Sequence, residues 1–177
     1  MSTFEQHQLN ILKRDTLIHH IPEDDYQVIF EKVATHGQAV IQKYWSIIQS
    51  ERLIAWILKQ GIHIAFQTKV TQKNRLVFGE YAEKTQRIIL YEETIQKHPF
   101  EFVENTLEFT LLHEIYHVIE AKEKTNYQTY YQVTQTLLGP IKLKSGIISF
   151  SELSANYFAY WILEYWRNKN EEITEEN

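Results

Sequence analysis

Cysteine is absent from the 177 residues, which removes disulfides, thiolate metal ligands and a cysteine nucleophile from consideration. Proline and glycine are scarce, at three and five. Chain reversals are therefore sparsely marked, and helices should dominate. No apolar run approaches the length of a membrane span. The opening residues, MSTFEQHQLNILKRDTL, interrupt every apolar stretch with acids and amides, unlike the h-region of a secretory signal. A soluble cytoplasmic protein is the expectation. Basic residues are also in deficit, with a net charge of −5. A duplex-binding face needs an excess of them, so direct nucleic-acid contact is disfavoured.

The length suits one domain with a core large enough to hold without covalent staples. We take residues 1–170 as that domain and the acidic residues 171–177 as a solvated tail. Asp24 and Asp25 follow Pro22 as helix-start signals, and apolar residues recur at helical spacing from Tyr26 to Gln49. A short helix from about Ser50 to Lys59 should end at Gly61, a residue suited to a left-handed stop. Three strand-like segments follow, around Ile62–Phe66, Leu76–Phe78 and Ile88–Tyr91, with a polar turn over Glu83–Gln86. Helical spacing resumes at Pro99 and runs through Ile115, with the proline in the first turn. Gly139-Pro140 breaks the chain, and Ser151 is read as the cap of a last helix reaching about Arg167. The fold class is α+β: mainly helical, with a small three-stranded sheet before the central helix.

That central helix carries His113-Glu114-Ile115-Tyr116-His117, an HExxH pattern. Histidines four apart share one helical face a turn apart, so two neutral imidazoles there can hold zinc at roughly 2.0–2.1 Å. Glu114, one position beyond the first histidine, can reach the open side of the metal without ligating it. There it can act as general base toward a water whose pKa the metal has lowered to about 7. Leu111, Leu112, Ile115, Val118 and Ile119 make the helix core-packed, and a buried histidine pair without metal or partner would be costly.

A third ligand is required, with the fourth position left to water. Glu152, in SFSELSANYFAYWIL, is the best candidate. It opens the last helix beside the small Ala155. Asn156, four residues on, shares its face and can fix the tautomer of a ligating histidine. Among the tyrosines, Tyr116, Tyr127, Tyr130, Tyr131, Tyr157 and Tyr160 are all conceivable oxyanion donors, and none stands out. His19, His20, His63 and His98 are assigned no role at the site.

HEIYH followed by Glu152-Leu153-Ser154-Ala155-Asn156-Tyr157-Phe158-Ala159 resembles the gluzincin metallopeptidases, most closely the ImmA/IrrE type. The likeness covers roughly residues 87–163. It implies one zinc per chain held by His113, His117 and Glu152, Glu114 as catalytic base and Asn156 behind the ligands. It also implies that Arg87–Tyr91 forms the edge along which an extended substrate pairs. Members of that group are cytoplasmic regulatory proteases, so the implied partner is a protein or peptide substrate, such as a repressor. The chain departs from the usual pattern at Tyr116, where a small residue is customary, and at Trp161–Glu164, where Met-Pro or a similar sequence usually follows the last helix.

Three other readings compete. In one, the same fold binds zinc as a catalytically inactive regulatory or interaction protein, which leaves Glu114 without a purpose. In another, Glu114 and His117 belong to a di-iron carboxylate bundle, which needs a second Glu-x-x-His that the chain does not supply. In the third, the motif is accidental and the chain is a helical interaction module that binds no metal.

Overall fold

A computed structural model describes residues 2–50, 52–68, 76–126, 129–138 and 141–175. The chain is α+β and mainly helical.

Helix α1, Thr3–Leu12, is closed at its N-terminus by a capping box. Glu5 N–H donates to Ser2 Oγ at 3.2 Å, and Ser2 N–H donates back to Glu5 Oε2 at 2.7 Å. The S-x-x-E pattern announces this helix, which the apolar periodicity alone leaves unmarked. A 3₁₀ turn at Ile18–His20 leads to α2, Asp25–Lys43. The helical stretch expected up to Gln49 is broken at Tyr44 and resumes as the short α3, Trp45–Ile48. Helix α4, Leu53–Lys59, stops as expected: Gly61 takes φ +78°. Ile62 N–H then donates to Ile57 O and Gly61 N–H to Leu58 O, the double closure of a Schellman motif.

Three strands follow: β1 (His63–Gln67), β2 (Gly79–Ala82) and β3 (Arg87–Tyr91). The second lies later than the expected Leu76–Phe78. Phe78 instead packs its ring 4.5 Å from that of Phe100, while its carbonyl accepts from Tyr91 N–H. The strand order is β1-β3-β2, with β1 parallel and β2 antiparallel to β3. Arg87–Tyr91 is therefore the central strand and not the edge. Both its ladder sides are occupied, and the edge next to the motif helix is β2.

After α5, Glu92–Lys97, the chain stays non-helical until α6, Thr106–Glu123. Pro99 is thus outside the helix it was expected to start. Asn105 is the cap, its Oδ1 accepting from Glu108 N–H at 3.2 Å, and Thr106 Oγ1 accepts from Phe100 N–H at 2.8 Å. Phe100 and Phe102 use this extended stretch to meet Phe109.

An antiparallel pair, β4 (Gln132–Leu138) and β5 (Ile141–Gly146), forms a second sheet that the sequence reading lacked. The expected break at Gly139-Pro140 lies outside the described residues, as does Tyr127. Helix α7 then runs from Ser149 to Glu175, past the Arg167 expected as its end and into the acidic segment.

Helix α7 joins two apolar clusters. Its first turns place Phe150 and Leu153 against Leu12, Ile29 and Val33. Its middle places Ala155, Phe158, Ala159 and Ile162 against Ile115, Tyr116, Val118 and Ile119 of α6. Each large side chain buried there contributes about 1.5–3 kcal/mol, so the pairing of α6 with α7 is firmly set. Among the described residues, no helix is long and apolar enough to cross a membrane.

Candidate metal centre

The packing of α7 on α6 brings the end of Glu152 over the two histidines. His113 Nε2 and His117 Nε2 lie 3.1 Å apart. Glu152 Oε2 is 3.4 Å from His113 Nε2, and Oε1 is 3.7 Å from His117 Nε2. Ligands about 2.0–2.1 Å from a tetrahedral ion are separated by about 3.3 Å. The three side chains could hold a metal ion, and their spacing is that of one triangular face around it.

Each histidine is turned by a partner on its other nitrogen. His113 Nδ1 meets Asn156 Oδ1 at 2.8 Å, and His117 Nδ1 meets Glu120 Oε2 at 2.9 Å. Both partner oxygens are acceptors, so both Nδ1 atoms donate to them and both Nε2 atoms, the ones left for a metal, face Glu152. Glu120 is in turn held by Ser151, whose hydroxyl lies 2.9 Å from each carboxylate oxygen. Ser151 therefore ties the two helices together, and α7 begins two residues earlier, at Ser149. The buried Asp15 receives Ser149 N–H there at 2.7 Å. Sequence reasoning missed Glu120, although its position one turn after His117 (His-x-x-Glu) was a usable signal.

Glu114 is buried beside the trio. Burial pushes its carboxyl above the usual range; the charges of His113 and His117 oppose the shift, Glu152 reinforces it, and a hydrogen bond from Tyr81 N–H opposes it. His113 shows which sign of charge the centre favours. Burial works against its protonation, yet the Glu152 hydrogen bond, the Glu114 and Glu152 charges and Asn156 together raise it to about 9. Two carboxylates thus draw a positive charge to this point, and a cation satisfies that demand as a proton does.

The centre opens into a cleft of about 1220 Å³ walled by α1, β2, α6 and α7. Strand β2 approaches α6 closely through Gly79. A Cβ there would sit 2.9 Å from Thr110 Cγ2 and 3.1 Å from Glu114 Cγ. The tyrosines singled out in the sequence do not line this cleft among the described residues. Tyr116 is buried against His36, its hydroxyl 2.9 Å from Nε2; Tyr160 stacks on Phe4, and Tyr131 donates to Asp25. Tyr81 and His7 do line it. His7 comes from α1, and burial, with the nearby charges of His113 and Arg14, lowers it to about 4.

No family model matches the chain, nor does any curated protein or solved structure.

Proposed function

We propose that this chain is a zinc-dependent metallopeptidase that cleaves a peptide bond in a protein substrate, with one zinc held by His113, His117 and Glu152. The observation that carries the reading is the burial of Glu114 next to three convergent ligand atoms. A purely structural metal site has no use for an additional desolvated carboxylate, which costs stability where it stands.

Bound zinc supplies Lewis acidity, lowering the pKa of water to about 7 and polarising the carbonyl to be attacked. Glu114, with its affinity for protons raised by burial, takes the proton from the attacking water and returns it to the departing amine. Asn156 and Glu120 hold the imidazoles so that neither ligand turns during turnover. Glu114 is kept in line by Tyr81 N–H on β2.

The same strand is the natural rail for substrate. Phe78 carbonyl bonds back to β3, so by alternation Gly79 and Tyr81 direct their backbone groups away from β3. Tyr81 N–H is taken by Glu114, which leaves the Gly79 groups and the Tyr81 carbonyl for a substrate. An extended peptide laid along β2 would pass across the front of the trio. The likeness of HEIYH and ELSANYFA to the ImmA/IrrE peptidases points to a regulatory protein, such as a repressor, as the substrate.

The test compares wild-type protein with Glu114→Gln in a protein extract and maps newly formed N-termini by mass spectrometry. New termini produced by the wild type and missing with the variant, at equal zinc content, support the reading. Equal sets from both proteins would falsify it.

A further inference from the structure

Helix α1 reaches behind the metal centre with the side chain of Gln8. Gln8 is buried, as is Asn156. Gln8 Nε2 donates to the Leu153 carbonyl of α7 at 3.1 Å, and Asn156 Nδ2 donates to Gln8 Oε1 at 3.4 Å. A backbone carbonyl can only accept, so the amide of Gln8 has one permitted orientation. Its oxygen must then face Asn156, which obliges Asn156 to present Nδ2 to Gln8 and Oδ1 to His113. That oxygen accepts from His113 Nδ1–H at 2.8 Å and leaves Nε2 as the atom turned toward His117 and Glu152.

We propose that Gln8 is a positioning residue for the metal centre: it sets the orientation of the Asn156 amide and thereby the tautomer in which His113 can ligate. The inference rests on reading His113, His117 and Glu152 as metal ligands. Were the Asn156 amide reversed, its NH₂ group would oppose the Nδ1–H of His113. The imidazole would then have to move its proton to Nε2, where it blocks ligation. Asn156 cannot prevent this alone, because a carboxamide offers a donor and an acceptor of nearly equal shape. A carboxylate at the same place has two acceptors and needs no such instruction.

Cobalt(II) titration of the metal-free full chain tests this, following the visible absorption of the bound ion, with far-ultraviolet dichroism as the check on folding. Gln8→Met keeps length and apolar contact and removes both hydrogen bonds. It should weaken cobalt binding about tenfold, the lower end of what loss of outer partners costs a metal site, and alter the absorption bands. Asn156→Asp should remove the dependence: in that background, adding Gln8→Met should change cobalt affinity by less than about twofold. Val33→Ala opens the same apolar cluster from α2 and leaves Gln8 and Asn156 in place, and should lower the melting temperature but not the affinity. Unchanged cobalt affinity in Gln8→Met would overturn the inference, as would an equal loss in Val33→Ala or a persisting effect in the Asn156→Asp background. A wild-type chain that binds no cobalt would instead overturn the metal-centre reading beneath it.

Discussion

Gly79 and Glu114 stand so close that a methyl group on the first would lie 3.2 Å from Oε1 of the second. The glycine is needed for space: its backbone lies against Thr110 and Glu114 of α6, which brings β2 up to the centre. Gly79→Ala should therefore displace Glu114 or lift β2, lowering turnover about tenfold or more while zinc content stays at one per chain. Overpacking a filled site costs about 1–3 kcal/mol, so a modest fall in melting temperature should accompany it. Kinetics and elemental analysis on the same preparation decide the matter. Loss of metal together with activity would place the effect on the ligands instead of the base.

Glu152 supplies the carboxylate of the trio from a helix other than that of the histidines. Glu152→Ala should leave the fold intact, since this side chain is 54% exposed, and should remove most of the zinc measured by elemental mass spectrometry. Stoichiometric zinc in that variant would mean that the third ligand has been misassigned.

Glu120 restrains His117 as Asn156 restrains His113, but with a charge. Glu120→Ala leaves His117 Nδ1 and Ser151 without their acceptor. Zinc affinity should fall about 10–100-fold, the usual cost of losing an outer partner. Competition with a chromophoric chelator measures this directly. An affinity within twofold of the wild type would show that the contact does not act on the metal.

The raised protonation of His113 gives metal binding a defined pH dependence. With its value lifted from 6.5 to about 9, the metal-free centre carries a proton at neutral pH that zinc must expel. Affinity should therefore rise with pH from 7 to about 9, roughly tenfold per unit for one proton, and flatten above that. Calorimetric titrations in buffers of different ionisation enthalpy should register about one proton released per zinc at pH 7. Binding independent of pH across this window would contradict the charge balance described for the centre.

How far the sequence anticipated this arrangement depends on the separation of the partners. His113 and His117 are a single turn apart, and the helical period alone places them on one face. Glu152 and Asn156 were legible for the same reason, as two chemistry-bearing residues on one face of a second helix. The capping box of α1 was also open to reading, but its role was not, because Gln8 meets Asn156 only through tertiary packing. The order of the small sheet was hidden in the same way. Arg87–Tyr91 has the composition of a strand, but nothing local to it specifies neighbours on both sides; its expected place at the edge rests on the resemblance alone. The shift of β2 from Leu76–Phe78 to Gly79–Ala82 shows the same limit. Phe78 carries strand propensity, yet the aromatic cluster at Phe100 claims its ring, and a glycine, usually a weak strand former, takes the place next to α6.

The dependence of the centre on α7 also bears on when the protein can act. A chain emerging from the ribosome releases α6, with both histidines and the base, before the segment that bears Glu152. Until that segment is out and docked, the two imidazoles lack the Glu152 carboxylate, and His113 lacks the Asn156 amide that orients it. On the proposed function, a growing chain would hold neither the third ligand nor the means to cut its neighbours, and competence would arrive only once that helix has docked.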